Sequence, residues 1–205
     1  MTIRYYSTNR NLNLGGGGKP FRETVSFREA LLMGQAPDEG LFMPERIPEL
    51  VPADVAALKG MPYPEAAWLV ARKFLAGEVE LDRLRLVVED AYNFSVPLER
   101  VVGENYVLRL DQGPTASFKD FAARMMARLM SMLRSPDKRL NVLVATSGDT
   151  GSAVGEAFKG VPGIDVTILY PGTRSAPDSE NNSIPSGKTS RRSPCPGNST
   201  IARTW

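Results

Sequence analysis

The chain has 205 residues, 42% of them hydrophobic, and a formal net charge of +2. This is a globular composition; its basic residues are scattered among acids and give no footing for a nucleic-acid partner, and no stretch is apolar over the length of a membrane span. There is no histidine and Cys195 is the single cysteine, which removes His-based triads and His-containing metal sites, so no metal centre is expected.

The opening segment MTIRYYSTNR lacks the apolar core of a secretory signal, and a lone cysteine fits a reducing compartment, so a cytoplasmic setting is expected. The run LGGGGKPF ends in Gly18-Lys19 but fails as a phosphate loop: Asn13 and Pro20 stand where that motif needs Gly and Ser or Thr. It reads as a flexible loop. Ser26 and Glu29 form a capping box for a short helix that Gly34 stops. The proline-rich text APDEGLFMPERIPEL argues against long regular structure. Two amphipathic helices follow, over 64–76 and 80–92, the first ended by Gly77 and the second apolar through Leu81, Leu84, Val87, Val88 and Ala91. Residues 1–95 therefore read as one mostly helical unit.

The pattern changes after residue 95. YVLRL (106–110) reads as a strand, 117–134 as a helix, LNVLVA (140–145) as a buried parallel strand, 150–160 as a helix and IDVTILY (164–170) as a third strand. Alternating strand and helix implies the first part of a doubly wound α/β sheet over 96–171, with both helix N-termini at its carboxyl edge. Three strands alone leave an edge and a face of that sheet open. Residues 172–205 lose both periodicities and read as an unstructured tail.

Two loops at the expected sheet edge carry chemistry. In GPTASFKDFA (113–122), Ser117 with Asp120 looks like a helix cap, which puts Lys119 in the first turn beside an apolar face of Phe118, Phe121, Ala122, Met125, Leu129 and Met132. Cations prefer the other end of a helix, and a neutral amine is the nucleophile of Schiff-base chemistry. The helix alone leaves a second reading open, a surface lysine with a buried stem. In VATSGDTGSAVG (144–155) a strand gives way to a Gly/Ser/Thr turn and a helix start, an arrangement suited to an anion. It matches neither the dinucleotide nor the Walker fingerprint, and a tight, well-capped turn is the alternative.

GPTASFKDFA and ATSGDTG (145–151) resemble the two N-terminal motifs of threonine synthases, pyridoxal-phosphate enzymes of the tryptophan-synthase β-like fold, type II. YYSTNR and residues 26–50 are similar to the N-terminal domain of the same family, so the resemblance runs from residue 1 to about 171. It implies that Lys119 holds the cofactor aldehyde and moves protons. It further implies that Thr146, Ser147, Gly148 and Thr150 bind the substrate carboxylate, and that Asp149 lies against the cofactor ring where many relatives have Asn. The implied reaction converts the small molecule O-phospho-L-homoserine and water into L-threonine and phosphate, a lyase reaction of amino-acid biosynthesis.

The resemblance ends at Tyr170-Pro171. Family members are much longer, and their Gly-rich cofactor-phosphate loop has no counterpart here. Codons for Gly172-Thr173-Arg174 read in a neighbouring frame can spell the family's Gly-Arg-Val, so 172–205 is expected to be an out-of-frame tail and this chain by itself inactive. Two competing expectations remain: a non-catalytic fragment that binds a partner through its open sheet edge, and a related pyridoxal-phosphate enzyme that eliminates at the β-carbon or deaminates.

Overall fold

The computed structural model describes residues 2–12, 18–146, 148–171, 193–194 and 200–204. The chain divides into two compact units, 1–90 and 91–205. Among the described residues no helix is long and apolar enough to cross a membrane.

The first unit holds three short strands, β1 (Tyr5–Ser7), β2 (Thr24–Val25) and β3 (Phe42–Pro44), in an antiparallel sheet of order β2-β1-β3. The proline-rich text hid β3, because a strand of three residues is too short to show alternation. Ile3, Tyr5, Val25 and Ala30 form its core, with Phe21, Phe27, Phe42 and Phe74 packed against them. The Tyr5 and Phe27 rings lie 5.8 Å apart, and Phe21 meets Phe42 edge to face at 6.2 Å.

A buried carboxylate ties this sheet together. Asp38 accepts hydrogen bonds from Ser7 Oγ (2.6 Å), the Phe21 N–H (2.8 Å) and the Gly40 N–H (3.2 Å). Three segments distant in sequence thus meet at one group. A Cβ on Gly40 would overlap Ser7 Oγ and come within 3.0 Å of Asp38 Oδ1, so only glycine fits there. Burial pushes the Asp38 carboxyl up, but the donors from Ser7, Phe21 and Gly40 outweigh it and hold the group below its ordinary value.

The helices of this unit follow the sequence closely. In α1 (Phe27–Met33) the Glu29 N–H donates to Ser26 Oγ and the Ser26 N–H to Glu29 Oε2, the expected capping box, and Gly34 stops it at φ 74°. α3 (Tyr63–Leu75) ends just before Gly77, at φ 85°, and its Trp68 ring is flanked by the Arg72 and Arg85 guanidinium groups. α4 (Leu81–Ala91) buries Leu84, Val88 and Ala91 completely. α2 (Pro52–Ala57) was not among the expected elements; its first residue is a proline, where a missing N–H costs nothing. Asp54 anchors it by accepting the Val51 N–H (3.0 Å) and pairing with Lys73 (2.6 Å).

In the second unit the strand expected at 106–110 is displaced and belongs elsewhere. β4 (Leu98–Val102) and β5 (Asn105–Leu108) pair antiparallel in a two-stranded sheet of their own. Gly103 turns the chain at φ 56°, and both strands are exposed along their length. A valine-rich run followed by a Gly turn is a hairpin signal, and it outweighs the strand–helix alternation read from the sequence.

The doubly wound start is the unit that follows. α5 (Lys119–Leu133) leads to β6 (Leu140–Ala145), α6 (Asp149–Phe158) crosses over, and β7 (Ile164–Pro171) pairs parallel with β6 in the register Leu140↔Ile164 to Ala145↔Leu169. Ile164, Val166 and Ile168 are buried, and the register places Val142 and Val144 on their face. The opposite face of β6 is open: Leu143 is 68% exposed. β6 therefore alternates and is not the doubly buried strand its apolar run implied, because among the described residues helices cover one side only.

The tail is not wholly irregular. β8 (Ser193–Pro194) and β9 (Thr200–Thr204) extend the sheet to the order β6-β7-β9-β8, with β9 antiparallel to β7. The open edge of β7 presents unpaired backbone groups, and an extended segment pairs with them whatever its side-chain pattern. The rest of 172–205, and residues 13–17 of the glycine run, lie outside the described residues.

Replacing Asp38 by Asn will lower the melting temperature at pH 7. Because the folded-state value is depressed, the stability Asp38 contributes is full above the unfolded carboxylate value of about 3.9 and is lost as pH falls through the folded one. Thermal melts of both proteins from pH 7 to 3 will therefore show a gap that narrows below about pH 4.

Candidate active site at the carboxyl edge of the parallel strands

Short connections decide where the two loops lie. Residues 134–139 lead from α5 to β6, 146–148 lead from β6 to α6, and the two helices pack on each other. Both helix N-termini therefore sit at the carboxyl edge of β6, where open α/β sheets bind ligands.

Lys119 is the first residue of α5 and is half-buried, its Nζ 4.4 Å from the centroid of the exposed Phe118 ring. Ser117 is not the N-cap: Phe118 holds that position and makes no side-chain cap bond, while Ser117 Oγ accepts the Lys119 N–H (3.3 Å) and its carbonyl accepts the Asp120 N–H (3.0 Å). Asp120 does not complete a capping box. Its side chain turns back into the preceding loop and is 1% exposed.

This corrects the expected buried face of α5. The residues facing inward are Asp120, Ala123, Arg124, Ala127, Leu129 and Met130, whereas Phe118 is 61% exposed and Ala122 is exposed too. A reading that follows apolar residues misses the face because two of its members are charged. Arg124 is satisfied in place: Nε donates to the Ala91 carbonyl (2.6 Å), Nη2 to Asn93 Oδ1 (2.9 Å), and the guanidinium lies 5.8 Å from the Phe94 ring. Phe121 contacts Phe94 edge to face at 5.2 Å and Tyr92 at 6.0 Å.

The loop before Lys119 is closely tied. Asp120 accepts the Thr115 N–H (2.9 Å) and the Thr115 hydroxyl (2.7 Å). The Ala116 N–H closes a turn onto the Gly113 carbonyl (3.0 Å), and Ala116 sits at φ 53°, a left-handed conformation that is costly with a Cβ. Upstream, Arg109 donates two bonds to Asp111 (2.8 and 2.7 Å) and one to Glu99 (3.0 Å). Those bonds with Arg109 hold the Asp111 carboxyl well below the carboxylate range.

The second loop continues the sheet ladder and then opens. The Thr146 N–H donates to the Leu169 carbonyl (2.9 Å), and Thr146 Oγ1 accepts the Gly148 N–H (3.1 Å). Gly148 precedes the helix, and a Cβ there would meet nothing within 4 Å, so the space above it is open. Asp149 is exposed and Thr150 half-buried in the first turn of α6, where a carboxylate complements the helix dipole. Ser147 lies outside the described residues. Gly151 lets the helix close on the sheet: a Cβ there would stand 2.7 Å from Thr146 Cγ2 and 3.1 Å from Ile168 Cγ2.

Among the residues of this region, the sequence reading assigned no site role to Gly113, Thr115 and Ala116 and misassigned Asp120. The signal was present as an acid five residues after a threonine in GPT, but the same acid also completes the cap pattern with Ser117.

Replacing Gly151 by Ala will destabilise the chain by about 1–2 kcal/mol despite the better helix propensity, because overpacking costs more than the propensity gains. Gly155→Ala, whose Cβ would meet Ile168 Cδ1 at an ordinary 3.4 Å, will be neutral or stabilising by up to about 1 kcal/mol. Urea unfolding of the two variants checks the contrast.

A family model described as the threonine synthase N terminus matches residues 4–92. The chain is 40% identical over 155 residues to the threonine synthase of Haemophilus influenzae, covering 76% of this chain and 36% of that protein. It is 35% identical over 159 residues to that of Escherichia coli, covering 78% and 37%. The fold superposes on a crystal structure of pyridoxal-phosphate-bound threonine synthase from Brucella melitensis with a TM-score of 0.79 at 34% identity, over 91% of this chain and 39% of that one. The Escherichia coli enzyme gives 0.77 at 31% identity, over 90% and 41%. The chain thus spans little more than a third of the length of these relatives, and over that span its sequence and its strand–helix order are similar to those of threonine synthases.

Proposed function

We propose that this chain carries the lysine-bearing half of a threonine synthase active site, which uses pyridoxal 5′-phosphate to convert O-phospho-L-homoserine and water into L-threonine and phosphate. In reaction terms it is a lyase acting on a carbon–oxygen bond of a phosphate ester. The observation that carries this reading is the half-buried Lys119 at the start of α5, at the same edge of β6 as the open turn that starts α6.

The residues fit the cofactor. Lys119 offers a primary amine for its aldehyde, and the bare Cα of Gly148 leaves room beside the second loop. When bound, the cofactor supplies the electron sink that makes the substrate's carbon-bound protons removable. The chain's own residues do the rest. Lys119 Nζ accepts and returns protons over the reacting carbons. Thr146, Ser147, Gly148 and Thr150 bring hydroxyls and backbone N–H groups to the substrate carboxylate at the positive end of α6. Asp149, at the same turn, would stand beside the cofactor ring.

Titration of the chain with pyridoxal 5′-phosphate should produce a visible absorption band that sodium borohydride reduction fixes at Lys119. In Lys119→Ala the band should vanish while the far-UV circular dichroism stays unchanged. A band retained in that variant would sink the assignment. Incubation with O-phospho-L-homoserine, against serine and threonine as alternative substrates, then separates threonine formation from elimination or deamination.

A further inference from the structure

We infer that Asp120 is the positioning residue for Lys119, acting through Thr115 to set the loop from which the lysine emerges. The inference rests on the cofactor-binding role proposed for Lys119.

The charge is in a place that demands a reason. Asp120 is among the largest fully buried side chains of the described residues, and burying an acid without partners is costly. Its position in the first turn of α5 provides part of the compensation, since the helix dipole favours a negative group there. The remainder comes from Thr115, whose N–H and hydroxyl each bond a different oxygen of the carboxylate. Five residues of chain are thereby folded back on the helix start.

Two details support a single conformation for this loop, with Asp120 selecting it. Gly113 lies so close that any Cβ there would overlap the Asp120 carboxyl group, so Asp120 and Gly113 define each other's space. Ala116 is held at φ 53°, a conformation that alanine leaves when nothing enforces it. The bonds on either side, Thr115 to Asp120 and Ala116 to Gly113, are the enforcement. Ser117, Phe118 and Lys119 follow directly, so the direction in which Lys119 leaves the backbone is fixed by this turn.

An amide replaces the carboxylate only in part. In Asp120→Asn the amide oxygen can accept the Thr115 N–H, but the NH2 then faces the Thr115 hydroxyl, which must turn from donor to acceptor, and the charge that strengthened both bonds is gone. Thr115→Val removes only the hydroxyl bond and keeps the shape, whereas Thr115→Ser keeps the bond. Arg109 and Asp111 secure the upstream end of the same loop from the surface, but no buried charge depends on them.

The full-length chain and its Asp120→Asn, Thr115→Val and Thr115→Ser variants should be compared in three measurements. The first is borohydride trapping of pyridoxal 5′-phosphate at Lys119, mapped by peptide mass. The second is the rate at which a soluble acetylating reagent labels Lys119 relative to exposed Lys138. The third is hydrogen exchange at the Thr115 amide, with thermal melts to establish folding. Losing a hydrogen bond to a charged group is expected to lower trapping in Asp120→Asn and Thr115→Val by about tenfold and to speed exchange at Thr115 to a similar degree. The Lys119 labelling ratio should change with it, and Thr115→Ser should behave as the parent chain. If Asp120→Asn does not fold, Thr115→Val carries the same test. A folded variant that traps, labels and exchanges like the parent overturns the inference. If the parent traps nothing at Lys119 while its labelling ratio still depends on Asp120, the cofactor assignment fails and the positioning role stands. If the ratio does not depend on Asp120, the positioning role fails whatever the cofactor does.

Discussion

A parallel pair of strands cannot be joined by a tight turn, and much of the second unit follows from that restriction. To lay β7 beside β6 in the same direction, the chain must travel back along the sheet, and α6 is the return path. The return is short at both ends, so α6 begins where β6 stops. Gly151 allows it to lie close over Ile168. α5 reaches β6 through a comparably short turn, in which the Arg134 guanidinium bonds the carbonyls of Ser135 and Lys138. Two helix N-termini are thereby delivered to one sheet edge, and the residues there are brought together by topology before any side chain is considered.

Around that frame the structure uses buried charge to fix irregular backbone. Asp38 gathers Ser7, Phe21 and Gly40 in the first unit, and Asp120 gathers Thr115 in the second. In both places the acid faces a glycine whose Cβ would collide with the network, and a non-glycine residue close by, Glu39 or Ala116, has positive φ. The common logic is that loops lack the repeating hydrogen bonds of helices and strands. A carboxylate with two or three donors supplies a substitute, and its burial makes the alternative conformations costly.

The apolar surface is distributed unevenly. One face of the β6–β7 pair is closed by helices, whereas the other leaves Leu143 exposed. The β4–β5 hairpin exposes Leu98, Val101, Val102, Val107 and Leu108. The chain covers 39% and 41% of the lengths of the two solved relatives.

Local pattern along the chain specified every helix but α2, and both loop motifs. Capping at Ser26 and Glu29, stops at Gly34 and Gly77, and the 3.6-residue spacing of Leu84, Val88 and Ala91 are local interactions within a few residues of chain, so a linear reading reaches them. GPTASFKDFA and ATSGDTG were equally legible, since motif chemistry is carried by residue type and spacing. What only the tertiary structure decided was pairing and orientation. The β4–β5 hairpin, the three-residue strands of the first unit and the attachment of β9 to β7 depend on backbone groups that any residue but proline possesses, which leaves little trace in side-chain pattern. The inward face of α5 depends on whether Asp120 and Arg124 find partners, and those partners, Thr115 for one and Ala91 and Asn93 for the other, are supplied by the fold. Hydrophobic periodicity takes every charged residue as outward-facing, so the two charges that orient the helix carrying Lys119 were the ones it could not place.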